Sequence, residues 1–351
     1  MRKHVLFLVH GMGAYVRDDG SADDSWSDKA AAELKTVFGN FPGITVAFED
    51  FFEVININYD TVFNDLIQRW ATEAETIIDS GIEAAAPVEK MVSWLTNGAE
   101  TDDNFAWTHA GDVILYRFIN LVRQRVKVHV ANQFHDALQP NADGPVIQWS
   151  VIAHSLGTIV THDVLHAMDS TTPNEQGISI LDATVPNANI VAMLANVSKR
   201  LETNVKVYES AVVPPGVCDI YLNANNRYDP FVNDALLVPE RFKPVGLAAW
   251  DKAAADDAYL DVEIENIHEI NVHSFKNYIV NPAVHIPILE ALVGFGSISQ
   301  AEKDNAVSQF QNLPFPSKQQ DLENLTQPMD QDWFSLTGTL LPDMESMDEE
   351  P

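Results

Sequence analysis

Ser155 lies in the pentapeptide Ala153-His154-Ser155-Leu156-Gly157, and its neighbours decide what its hydroxyl can do. Residues 146–152 (VIQWSVI) form an apolar, β-branched run, and residues 156–169 carry a helical pattern. A serine at the sharp turn from strand to helix needs small residues two positions before and after it. Larger side chains there would strike the neighbouring strand and helix. Ala153 and Gly157 meet that requirement. The turn sets Ser155 at the carboxyl end of the strand and the amino end of the helix. There the backbone N–H groups and the helix dipole favour a developing negative oxygen. The chemistry expected of such a serine is attack on a carbonyl carbon, provided a base and an acid reach it.

Candidates for both come from the second half of the chain. Residues 217–231 (VCDIYLNANNRYDPF) read as a strand through Leu222, then an Asn-rich turn that delivers Asp229. Asp219, read as lying inside that strand, and Asp234 compete with it. In residues 272–278 (VHSFKNY), His273 falls between a late strand and the last core helix. His268 is expected inside that strand and His285 inside that helix. The roles expected are general base for His273 and, for Asp229, holding the imidazole in the correct tautomer. Straight after the first strand, residues 10–13 read HGMG, where Gly11 and Gly13 let the backbone come close to a bound group. His10 and His154 flank the nucleophile and are expected to line the pocket. No His-Glu-x-x-His, paired C-x-x-C or phosphate-binding glycine loop occurs, so neither a metal nor a cofactor is expected.

The elements that must position these residues read as an α/β alternation. Residues 4–9 (HVLFLV) form an unbroken apolar run, expected of a parallel strand buried on both faces. A helix is expected over 25–38 and a second strand over 44–50 (ITVAFED). Residues 57–138 look helical nearly throughout, a helical insertion before the nucleophile strand that could cap the site. Further strands are expected at 189–194, 217–222 and 261–270, and a last helix at 283–293. The organisation expected is a core of 1–56 plus 139–296, the 57–138 insertion, and an acidic, polar, partly disordered tail over 297–351.

The chain has 51 Asp and Glu against 21 Lys and Arg, a formal charge of −30. Such a field repels phosphate backbones and anionic headgroups, which argues against nucleic acid and stable membrane insertion as partners. The single cysteine, Cys218, forbids an internal disulfide and suits a reducing compartment. With no apolar run of membrane-spanning length, the expected location is the cytoplasm. The sequence leaves the oligomeric state open.

Together, HGMG, AHSLG, YDPF and VHSFKNY resemble the α/β-hydrolase superfamily of lipases and esterases over about residues 4–293. The segments GDVILYRF (111–118) and VIAHSLGTIVTHDVL (151–165) are more distantly similar to intracellular phospholipase and lipase-like serine esterases. Gly111, Asp112, Val113, Tyr116 and Asp163 carry that second likeness. The order Ser155, Asp229, His273 is the chain order of the fold. The resemblance implies that the Met12 and Leu156 amides form the oxyanion hole. It also implies hydrolysis of a small-molecule or lipid ester through an acyl-enzyme. A thioesterase, amidase or acyltransferase on the same triad, or a non-catalytic binding protein of the fold, are the alternatives. Ala153 departs from the glycine usual at that position, and no metal-binding C-terminal DDHD domain is recognisable.

Overall fold

The computed structural model describes residues 3–11, 25–66, 69, 116–117, 119–172, 175, 177–202, 205, 207–212, 214, 216–229, 232, 258–265 and 271–313. Among them, six strands form one all-parallel sheet. The strands are β1 (His4–Val9), β2 (Phe52–Ile57), β3 (Trp149–His154), β4 (Val191–Leu194), β5 (Tyr221–Asn226) and β6 (Tyr259–Ile264). Their order across the sheet is β2-β1-β3-β4-β5-β6. The helices are α1 (Ser25–Gly39), α2 (Phe48–Phe51), α3 (Asn120–Leu138), α4 (Leu156–Met168), α5 (Ser198–Leu201), α6 (Phe275–Ile279), α7 (Pro282–Val293) and α8 (Gln300–Gln311).

Alternation along β1 sorts the core into two layers. Val5, Phe7 and Val9 pack with Val122, Val126 and Phe134 of α3 and with Ile159 and Val160 of α4. Leu6 and Leu8 point the other way, toward Ala30 and Leu34 of α1 and Val284 and Ile288 of α7. All six residues of β1 and of β3 are buried, as strands covered by helices on both faces must be. Burying each large apolar side chain contributes about 1.5–3 kcal/mol. A point mutation in β1 or β3 therefore damages the sheet at its middle.

Several boundaries differ from the sequence reading. The second strand is Phe52–Ile57, and residues 48–50 of the predicted strand 44–50 fall in the helical turn α2. The turn sets Phe48 and Phe52 four residues apart on one side, 4.9 Å between ring centroids, and both rings meet Phe38. That aromatic cluster outweighs the β propensity of Ile44 and Val46, and Val46 is exposed. Being an edge strand, β2 is buried fully only at its ends and gives a weaker apolar signal. The strand read at 146–152 starts three residues later, at Trp149, and the strand read at 217–222 is Tyr221–Asn226. Asn223–Asn226 thus belong to a strand and not a turn, and Asp219 precedes the strand.

Of the predicted insertion 57–138, residues 70–115 lie outside the described residues. Its last part, α3, lies on the sheet and buries Val122, Val126, Val130, Ala131, Phe134 and Leu138. Residues 300–311 of the predicted tail form α8, opened by a reciprocal Ser299–Glu302 capping box. Glu302 also accepts the Gly43 N–H at 2.6 Å, and Phe310 is buried. Among the described residues, no helix is long and apolar enough to cross a membrane.

Candidate active site

The strand order reverses between β1 and β3: the chain runs outward to β2 on one side and through β4, β5 and β6 on the other. Parallel α/β sheets bind their ligands beyond the carboxyl ends of the strands at such a switch point. Two sequence motifs end there. His10 and Gly11 leave β1, and Ser155 leaves β3 directly beside them.

Ser155 has φ 54° and ψ −127°, a conformation that L-residues rarely adopt. Its neighbours hold it there. The Ser155 N–H donates to the Leu194 carbonyl at 3.0 Å, and the Ser155 carbonyl accepts from Thr158 N–H and Thr158 Oγ1. The room is made by glycine. A Cβ on Gly157 would stand 2.3 Å from the His10 carbonyl oxygen, and one on Gly11 would stand 2.7 Å from Ser155 Cβ. Leu156 is the first residue of α4, so its N–H has no acceptor within that helix. Met12 and Gly13 lie outside the described residues.

Three side chains form a hydrogen-bonded line. Asp229 Oδ2 stands 2.7 Å from His273 Nδ1, and His273 Nε2 stands 2.7 Å from Ser155 Oγ. An ionised carboxylate only accepts, so Nδ1 carries the imidazole proton and Nε2 is left to accept from the Ser155 hydroxyl. Asp229 and Ser155 are buried, and His273 is 9% exposed. The line crosses the sheet ends: Ser155 follows β3, Asp229 follows β5, and His273 precedes α6. The Asp229 backbone N–H donates to the Asn226 carbonyl, which anchors the acid to the last residue of its strand.

The residues around this line were partly anticipated. His154 Nε2 donates to the His273 carbonyl at 2.7 Å, tying the loop that bears His273 to the end of β3. Burial lowers the His154 imidazole to about 3, with the neighbouring His273 acting in the same direction, so it stays neutral. His10 Nδ1 donates to the Gly11 carbonyl, and its ring stacks on Tyr59 at 4.3 Å. Burial lowers His10 to about 4. Neither histidine matches the geometry of a base for Ser155.

Three further residues escaped the sequence reading. The Tyr59 hydroxyl donates to the carbonyls of His10 and Gly11, at 2.8 and 3.1 Å, and so fixes the turn after β1. The Tyr278 hydroxyl donates to Asp229 Oδ2 at 2.7 Å. Arg123 grips Asp163 with two bonds, Nε to Oδ2 at 2.7 Å and Nη2 to Oδ1 at 2.8 Å. Tyr116 donates to the same Oδ2 at 2.6 Å, and Arg123 Nη1 donates to the Leu201 carbonyl. Asp163 lies two turns along α4 from Ser155, so this buried cluster braces α4 against α3. Gly111, Asp112 and Val113 lie outside the described residues, as do Asp234 and His268. His285 is buried in α7, its Nδ1 donating to the Ile279 carbonyl.

Among the described residues, no group of three or more His, Cys, Asp or Glu side chains could hold a metal ion. Cys218 is buried, and burial pushes its thiol well above the usual range, which leaves it a poorly reactive thiol. No protein-family model, curated protein or solved structure matches this chain.

Proposed function

We propose that this chain is a serine hydrolase of the α/β-hydrolase fold that cleaves a carboxylic ester through an acyl-enzyme. The observation that carries the reading is the line Asp229–His273–Ser155, built on a strained serine at the switch point of a parallel sheet. In this reading, His273 Nε2 takes the Ser155 proton as Oγ bonds to the ester carbonyl carbon. Asp229 stabilises the imidazolium that forms. The amide of Leu156, with that of Met12, receives the carbonyl oxygen as it becomes an oxyanion. Collapse expels the alcohol, which takes the proton back from His273. Water, deprotonated by the same imidazole, then releases the acid and frees Ser155.

The test is labelling with a fluorophosphonate, which captures only an activated serine. Wild-type protein is expected to label at Ser155 and to hydrolyse a short-chain aryl ester. Ser155→Ala is expected to stay folded, to lose labelling, and to lose hydrolysis by about a thousandfold or more, since nucleophile and base act as a unit. A folded Ser155→Ala variant that hydrolyses the ester at the native rate overturns the assignment.

A further inference from the structure

The acid of this site has a second donor. Tyr278 is fully buried on α6, five residues after His273, and its hydroxyl makes two bonds of fixed sense. It accepts the Asn226 backbone N–H at 3.1 Å. Its single proton is then left for Asp229 Oδ2, 2.7 Å away, the same oxygen that receives His273 Nδ1–H. Burial, reinforced by the Asp229 charge, drives the phenol far above its usual range, so it remains a donor wherever the site could work. One carboxylate oxygen therefore divides its negative charge between an imidazole and a phenol.

We propose that Tyr278 is a positioning residue that sets how strongly Asp229 stabilises protonated His273. This rests on the reading of Ser155, His273 and Asp229 as the reacting groups. A donor on a carboxylate withdraws charge density and weakens its hold on a neighbouring cation. Removing the phenol proton concentrates that charge on the imidazole and makes it harder to deprotonate. The acid limb of the reaction then moves to higher pH. Among the described residues, the other titratable groups facing this cluster are Ser155 and His154 from the end of β3 and His10 from the end of β1. His154 and His10 stay neutral above about 4, so neither titrates in the same window.

The experiment uses the full chain with Tyr278→Phe, which keeps the ring and deletes the proton. Two profiles are read against pH: the rate of fluorophosphonate labelling at Ser155, and the NMR titration of the His273 ring nitrogens. We expect both to move up by about one unit, so that labelling slows about tenfold below the limb and is unchanged above it. Replacing Tyr278 with 3-fluorotyrosine, whose more acidic hydroxyl is a stronger donor, should move both down. That second variant decides the matter if Tyr278→Phe fails to fold. An unmoved His273 titration, or labelling slowed equally at every pH, overturns the proposal. Native protein that does not label would refute the hydrolase reading alone, because the NMR titration still tests the tie from Tyr278 through Asp229 to His273.

Discussion

A histidine is worth a catalytic role only where its two nitrogens have opposite tasks. His273 is placed so: Nδ1 on a buried carboxylate and Nε2 on a hydroxyl. His285 also lies near α6 in sequence, six residues past its end, but its Nδ1 serves the Ile279 carbonyl and its ring packs on Phe41. We therefore expect His273→Ala to lose ester hydrolysis as fully as Ser155→Ala. His285→Ala should keep the native rate while losing about 2 kcal/mol or more of stability through a cavity and a lost bond. Rates and urea midpoints of the two variants separate the roles, and an inactive but stable His285→Ala protein would contradict them. At this scale much of the site was legible. Ser155, Asp229 and His273 announce themselves through small neighbours and through positions after strands. Tyr59, Tyr278 and Arg123 do not. Each acts on a partner 40 or more residues away, and in sequence a buried tyrosine looks the same whether its hydroxyl serves a carboxylate or a main-chain carbonyl.

Among elements, the brace on α4 matters most. Asp163 and Arg123 are both buried, and the pair ties α4, the helix that follows Ser155, to α3 and to the end of α5. Breaking a buried pair by removing one partner strands the other charge, which costs about 3–5 kcal/mol. Asp163→Ala should therefore lower the free energy of unfolding by about that amount, read from denaturant melts. Where the variant remains folded, Ser155 should still label, since no atom of the brace bonds to the line of three. A loss below about 1 kcal/mol would mean that α4 is held by its apolar face alone. The elements were less legible than the site. An all-buried strand such as β1 declares itself by an unbroken apolar run. β2 and β5 do not: β2 lies at an edge, and β5 ends in Asn223–Asn226, whose three asparagines suggest a turn. Asn223 is nonetheless buried, bonding Asn196 just past β4 and Asp261, its register partner within β6, so long-range pairing overrides local preference.

For the whole molecule, buried histidines should outweigh the acidic surface in setting acid stability. His4, His10 and His285 are lowered to about 4, and His154 and His162 to about 3, with burial the largest cause in each. An unfolded chain takes up protons at these rings from about pH 6.5 downward, whereas the folded chain resists until near 4. The unfolded state thus binds more protons in that window, and stability rises with pH across it. At pH 5 each such ring costs on the order of 2 kcal/mol relative to neutral pH. Protonating carboxylates relieves repulsion in a chain of charge −30, but that relief comes mainly below pH 5, nearer the carboxylate range. Denaturant melts should therefore show several kcal/mol lost between pH 7 and pH 5. Equal stability at both would mean that surface charge, and not the interior, governs the acid response.

The three groups of the line come from far apart along the chain, Ser155 after β3, Asp229 from beyond β5 and His273 from beyond β6. During synthesis, β1, β3 and α4, which flank the turn at Ser155, have all emerged well before residue 271 is made. A ribosome-bound chain at that stage holds Ser155 without His273, the imidazole that meets its hydroxyl in the folded chain. On the proposed reading, the order of translation alone keeps Ser155 unactivated until the far half of the sheet has docked and brought His273 and Asp229 to it.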